Sequence, residues 1–176
     1  MLLSKFFKWF GFICIILAGL LFWRRNIPQR VMFLAAPVKR EIKPKIKKNL
    51  PVRLIIKNLN IDLPIFSAKV IGQNWQTTSL GVSWLDISPH PGEIGNSIMY
   101  GHNWTNLLGN LIYAKPGQEI EIKYSDGKSK IFFIDKTAEV SPNDVSVLAQ
   151  TKDQRVTIYT CIGFLDEKRL VIVAKM

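Results

Sequence analysis

From Pro51 onward the sequence predicts an all-β domain, either a small barrel or a sandwich. Two observations favour this class: seven or eight short β-rich segments are separated by turn residues, and helical periodicity is scarce. The clearest strand is Glu119 to Tyr124, where apolar and polar residues alternate. Ser125-Asp126-Gly127 then has the Asp-Gly signature of a hairpin turn, so Lys130 to Val140 is predicted as the partner strand.

The remaining predicted strands are shorter, and they are bounded by Gly, Pro, Asn or Ser. They lie at residues 52–56, 61–65, 68–71 and 97–100, with two more around Ile158 and Ile172. Residues 75–84 are mixed in character and have no clear assignment. Ser141-Pro142-Asn143-Asp144 indicates a helix start, since proline is favoured at the first helical position, and predicts a short helix from Asn143 to Ala149.

The N-terminal residues form a separate segment, and we predict three regions: an anchor at 1–25, a linker at 26–50 and a catalytic domain at 51–176. The apolar run from Trp9 to Trp23 is 15 residues long, which is short for a membrane helix. Extending it back to Phe6, with the ammonium group of Lys8 reaching the headgroups, makes it adequate. We therefore predict an uncleaved transmembrane anchor; a cleaved signal peptide and a buried core helix are the alternatives.

The net charge of +11 is concentrated near the N-terminus. Residues 1–57 contain 13 Lys or Arg and one acid, for a net +12, whereas residues 58–176 contain 11 bases and 12 acids, for a net −1. The linker is rich in Lys and Pro, which predicts an extended tether near anionic lipid headgroups. We expect no nucleic-acid partner. Arg24, Arg25 and Arg30 follow the apolar run, so the positive-inside rule alone would place the large domain in the cytoplasm.

Three residues with catalytic chemistry lie at predicted strand ends. Cys161 closes the strand around Ile158, His102 follows the strand 97–100, and Arg169 opens the strand around Ile172. A thiol on a rigid strand end can act as a covalent nucleophile, an imidazole can exchange its proton, and a guanidinium can stabilise a developing oxyanion. This combination indicates a Cys/His acyl-transfer site supported by an arginine.

Each of these residues also has a structural interpretation. Cys161 could be a buried thiol, His102 could cap a turn, and Arg169 could be a solvated neighbour of Lys168. His90 is predicted to be an exposed loop residue. The tryptophans of this domain are expected in the core or along a groove: Trp75, Trp84 and Trp104.

The three segments together resemble the sortase family. Thr157-Ile158-Tyr159-Thr160-Cys161 is similar to the sortase signature T-L-x-T-C, with Ile in place of Leu. Pro91 to Asn96, leading to Gly101-His102-Asn103, resembles the segment that delivers the catalytic histidine. Lys168 to Ala174 resembles the segment that carries the catalytic arginine. The resemblance extends from about Pro51 to the C-terminus, and the order of the three motifs agrees.

The resemblance implies an eight-stranded β-barrel with short helices and a membrane-anchored cysteine transpeptidase. Such an enzyme cleaves a C-terminal sorting motif of the L-P-x-T-G type, holds the acyl group as a thioester and transfers it to an amine. His102, Cys161 and Arg169 would be catalytic, and Thr160 would contact the substrate. No cofactor and no metal ligands are predicted, although some sortases bind calcium, which Glu119, Glu121 and Asp126 could approach.

The implied partners are exported proteins with a sorting motif, an amine acceptor on the cell surface, and the membrane. This requires a single-pass protein of the cell membrane with an extracytoplasmic domain, against the orientation that the flanking charges favour. Two alternatives remain open. The same site could release surface proteins by hydrolysis, or the barrel could be a non-catalytic peptide-binding module.

Overall fold

The computed structural model describes residues 2–26, 49–72 and 74–176, in two units. The first contains helix α1 (Leu2–Asn26), which covers the apolar run. Within the described ranges, no helix combines the length and apolarity that a membrane crossing needs. Most of the predicted linker, and Gln73 of a predicted turn, lie outside the described residues.

The second unit is a closed barrel of eight strands, which confirms the all-β prediction. Its strands are joined in the order β1-β2-β5-β6-β9-β10-β8-β7, and a separate two-stranded sheet pairs β3 with β4. The strands are β1 (Pro51–Ile56), β2 (Ile61–Ala68), β3 (Val70–Ile71), β4 (Asn74–Trp75), β5 (Val82–Leu85), β6 (Gly95–Gly101), β7 (Glu119–Tyr124), β8 (Ser129–Val140), β9 (Gln154–Ile162) and β10 (Lys168–Lys175). Two neighbouring pairs are parallel, β2 with β5 and β6 with β9.

Two apolar cores lie on opposite faces of the strands. Because successive side chains point to opposite faces, Ile158 of β9 faces the barrel interior while Tyr159 faces outward. The interior core is mainly aliphatic, but it also contains aromatic side chains such as Phe132 and residues outside the strands such as Leu108. The outer core covers β6, β9 and β10, and it includes Trp75, Tyr100, Tyr159, Val171 and Val173. These three strands are therefore buried on both faces.

The helix predicted from Asn143 to Ala149 is wrong: the structure has only a 3-10 turn at Ser146–Leu148. Tertiary contacts explain the difference. Val147 and Leu148 pack against the outer core. The amide of buried Asn96 donates to the carbonyls of Val147 at 3.1 Å and Ala149 at 3.2 Å, so these carbonyls bond to the barrel.

The prediction of an exposed His90 is also wrong. The ring is half-buried, stacked on Tyr124 at 5.3 Å between centroids and in edge contact with Trp84 at 5.5 Å. The Tyr124 hydroxyl donates to the Pro91 carbonyl at 2.8 Å. The loop before β6 thus covers the barrel end at which β6 begins, and Trp75 and Trp84 are buried as expected.

Asn96 provides a test of how the 141–150 connection is held. We expect Asn96→Ala to lower the free energy of unfolding by about 2–4 kcal/mol. The substitution removes the hydrogen-bond partner of the two carbonyls and of the Thr157 hydroxyl, which donates to Asn96. Asn110→Ala removes the hydrogen bond from this side chain to the Leu59 carbonyl and should cost about 1 kcal/mol. Chemical denaturation measures both, and equal losses would contradict this account.

Candidate active site

Strand register brings the three predicted catalytic residues to one end of the barrel. In the parallel pair of β6 and β9, Gly101 lies opposite Thr160. His102 directly follows Gly101 and Cys161 directly follows Thr160, so these two residues are also neighbours. In the antiparallel pair of β9 and β10, Cys161 lies opposite Arg169. Neighbouring strands are about 4.8 Å apart, so the three residues occupy adjacent positions.

Arg169 is buried, with 5% of its surface exposed, so it is not a solvated neighbour of Lys168. Its Nη1 donates to the main-chain carbonyls of Asp166 at 2.7 Å and Lys168 at 3.1 Å. Lys168 is exposed and pairs with Glu139 instead. A guanidinium stays charged at any working pH, so the site holds a fixed positive charge beside the thiol.

The loop between β9 and β10 holds an unusual backbone conformation. Leu165 and Asp166 both have positive φ, 55° and 60°, which is a left-handed conformation that costs non-glycine residues about 1–2 kcal/mol each. This conformation places the Asp166 carbonyl within bonding distance of Arg169. Strain of this kind concentrates at functional sites. Sequence reasoning missed the role of this loop, although an Asp in a short connection that begins with Gly163 is a weak signal for such a turn.

His102 is half-buried, and its imidazole lies in a mixed electrostatic environment. Burial lowers its pKa, while the negative charge of Asp166 acts in the opposite direction. The neutral ring therefore predominates at neutral pH, as a proton acceptor requires. The indole of Trp104 stacks on the imidazole with centroids 4.5 Å apart and planes inclined by 10°, and it stays half exposed. Trp104 was expected to line the core or a groove, and its contact with His102 was not foreseen.

Cys161 and Thr160 point to opposite faces of β9. Cys161 is half-buried and is not part of a disulfide. Thr160 is buried, and its hydroxyl donates to the Gly101 carbonyl at 2.8 Å, which joins β9 to β6 directly below the predicted catalytic pair. A contact between Thr160 and the substrate stays a prediction. Across the described residues there is no group of three or more His, Cys, Asp or Glu arranged to hold a metal.

The barrel and the residues at this end of it define a class of protein: a β-barrel with a strand-end thiol, an imidazole and a buried guanidinium. Residues 54–176 match the family model of the Sortase domain. The chain therefore belongs to the sortase family, the members of which are cysteine transpeptidases.

Solved structures agree with this assignment at the level of fold. Sortase C1 of Streptococcus agalactiae is 22% identical with a TM-score of 0.60, over 74% of this chain and 70% of that one. Sortase A of Listeria monocytogenes is 22% identical with a TM-score of 0.59, over 73% and 87%. Sortase C of Clostridium perfringens is 20% identical with a TM-score of 0.59, over 72% and 69%. A search of curated proteins found no match.

The electrostatic role of Asp166 predicts the titration of His102. Asp166→Asn keeps the side-chain shape and tolerates positive φ, but it removes the charge that raises the pKa of His102. We expect the pKa of His102 to fall further below its ordinary value, so the neutral ring persists to lower pH. Proton NMR measures this directly, since the chain has two histidines and His90→Gln assigns the other.

Glu167→Gln is the matched control for this titration. Glu167 is exposed and lies on the same loop, one residue after Asp166, but it is not among the charges that act on His102. The control variant should leave the pKa of His102 where it is in the wild type. A fall of equal size in both variants, or none in Asp166→Asn, would refute the specific role of Asp166.

Proposed function

We propose that this sortase cleaves a C-terminal sorting motif of the L-P-x-T-G type in exported proteins and transfers them to an amine on the cell surface. The observation that carries the proposal is the strand register, in which Cys161 lies opposite Arg169 and one residue past the Gly101–Thr160 pair that leads to His102. A peptide bond presented at this end of the barrel would meet a nucleophile, a proton carrier and a fixed positive charge together.

Acylation would use the three groups in sequence. His102, neutral at working pH, takes the proton of the Cys161 thiol, and the sulfur attacks the carbonyl carbon of the substrate threonine. Arg169 stabilises the negative charge that develops on the carbonyl oxygen. The C–N bond to glycine breaks as His102 returns its proton to the leaving amine, which leaves an acyl group on Cys161 as a thioester.

Transfer reverses these roles. The acceptor amine attacks the thioester carbonyl and loses a proton to His102, and the C–S bond breaks to restore the Cys161 thiol. Water in place of the amine would give hydrolysis, so the products of the reaction distinguish a transferase from a peptidase. The fixed guanidinium serves both half-reactions, because each passes through an oxyanion.

Removing the nucleophile or the proton carrier should abolish this chemistry while the barrel survives. We expect Cys161→Ala and His102→Ala each to lower turnover of a sorting-motif peptide at least about a thousandfold. Both residues are only partly buried, so the thermal unfolding midpoint should change little. Mass spectrometry with and without added triglycine separates transfer from hydrolysis. Turnover near the wild-type level in either variant would refute the assignment.

We also propose that residues 1–25 anchor the protein in the cell membrane, with the catalytic domain outside the cytoplasm. The apolar run from Trp9 to Trp23 and the basic segment that follows it support the membrane anchor, and the exported nature of sortase substrates supports the external orientation. The basic residues after the run oppose it, but the positive-inside rule is statistical, and long domains translocate largely regardless of charge.

Cysteine labelling on intact cells tests the orientation. The side chain of Lys128, in the turn between β7 and β8, is 84% exposed, which makes Lys128→Cys a suitable site. Cys14→Ser and Cys161→Ala remove the native thiols, and the protein with these two changes alone is the unlabelled control. We expect a membrane-impermeant maleimide to label the variant in intact cells. Labelling only after permeabilisation would place the domain in the cytoplasm and refute the proposed biology.

A further inference from the structure

Tyr159 lies on the same strand face as the predicted nucleophile. Residues two apart on a strand share a face, so Tyr159 and Cys161 point outward from β9 while Ile158 and Thr160 point inward. Across the pair with β10, Cys161 lies opposite Arg169 and Tyr159 lies opposite Val171. Tyr159 is thus the diagonal neighbour of Arg169, at a Cα separation of about 7 Å that aromatic and long side chains can span.

The Tyr159 hydroxyl contacts the arginine in this arrangement. The side chain is 1% exposed, its ring packs in the outer core, and its hydroxyl is hydrogen-bonded to the Arg169 side chain. A guanidinium only donates, so the phenolic oxygen is the acceptor. Burial raises the pKa of Tyr159 to about 12, with the Arg169 charge acting in the opposite direction, so the hydroxyl stays neutral at working pH.

The acceptors of Arg169 belong to two different parts of the fold. The carbonyls of Asp166 and Lys168 lie in and beside a short loop with positive φ angles. Tyr159 belongs to β9, which also carries Cys161 and is buried on both faces. The hydroxyl therefore connects the guanidinium to the strand that holds the thiol. A displacement of about 1 Å in a reacting group can cost about a hundredfold in rate, so such a connection has catalytic consequences.

We infer that Tyr159 is a positioning residue that holds the Arg169 guanidinium at a fixed place beside Cys161. This rests on the proposed function insofar as Arg169 stabilises the oxyanion. The sortase signature that this strand resembles leaves the position of Tyr159 open, so the signature assigns this residue no role. A phenyl ring alone would fill the outer core, and the hydroxyl needs a partner once buried.

Tyr159→Phe removes only the hydroxyl, and Tyr124→Phe is the matched control. Tyr124 is also buried, and its hydroxyl donates to the Pro91 carbonyl at 2.8 Å. Pro91 precedes β6, whose seven residues separate this end of the barrel from His102 by about 20 Å. We expect kcat to fall about ten- to a hundredfold in Tyr159→Phe, as for a lost hydrogen bond to a charged group, with KM changed less than about twofold. The control should retain the kcat of the wild type, and equal losses in both variants would overturn the inference.

A double-mutant cycle tests whether the effect passes through Arg169. Arg169→Met keeps a long apolar stem and removes the guanidinium, so its residual activity serves as the background. We expect Tyr159→Phe to change that residual rate less than about twofold, because the group it positions is gone. A loss as large as the one in the wild-type background would mean that Tyr159 acts independently of Arg169, which overturns the inference.

NMR of the wild-type, full-length protein gives a readout that does not depend on activity or on the folding of a variant. A held guanidinium rotates slowly, so we expect resolved Hη signals for Arg169 and an NOE from them to the ring protons of Tyr159. In Tyr159→Phe the signals should average, and in Tyr124→Phe they should stay resolved. Averaged signals or an absent NOE in the wild type would overturn the inference. Inactivity of the wild type with the NOE present would instead refute the proposed function alone.

Discussion

The arrangement of β6, β9 and β10 side by side at one end of the barrel determines the rest of this structure. Strands β6 and β9 are parallel, whereas β10 is antiparallel to β9, so the C-terminal ends of β6 and β9 meet the N-terminal end of β10. A shift of one residue in either pair would turn a reactive side chain to the opposite face. Burial on both faces resists such a shift, because every apolar side chain of these strands would have to exchange cores.

Burying the Arg169 guanidinium costs desolvation free energy, and the fold offsets this cost with hydrogen-bond acceptors from the barrel and its loop. Arg169 is buried, and a buried charge is tolerated only when it is hydrogen-bonded. Its carbonyl acceptors come from a loop that holds two left-handed residues, and its hydroxyl acceptor comes from β9. The same loop brings the Asp166 carboxylate toward His102, where it opposes the effect of burial on the pKa of the imidazole. One short connection thus both bonds to Arg169 and influences the pKa of His102.

The opposite end of the barrel is closed in a different way. There the loop before β6 packs His90 against Tyr124 and Trp84, and the Tyr124 hydroxyl bonds to the main chain of that loop. Aromatic packing and this hydrogen bond stabilise this end, together with the ammonium group of Lys130, which donates to the Gly92 carbonyl at 3.1 Å and lies over the Tyr124 ring. The two histidines of the chain therefore have different environments, His90 within an aromatic cluster and His102 between a carboxylate and an exposed indole.

The sequence by itself determined the all-β class, most strand positions, the hairpin at Asp126-Gly127 and the three candidate catalytic residues. Local signals suffice for these, since strand alternation, turn chemistry and short motifs each span a few adjacent residues. Tertiary structure alone decided that residues 143–149 form one turn and no helix, that His90 is half-buried, and that Trp104, Asp166 and Tyr159 contact the site. Each of these features depends on a residue far along the chain or on a strained loop. Asn96 bonds to the carbonyl of Val147 in the 146–148 turn, and the pairing of β9 with β10 places Arg169 near Tyr159. Such contacts leave no local pattern in the sequence, because they are stabilised only once the barrel has closed.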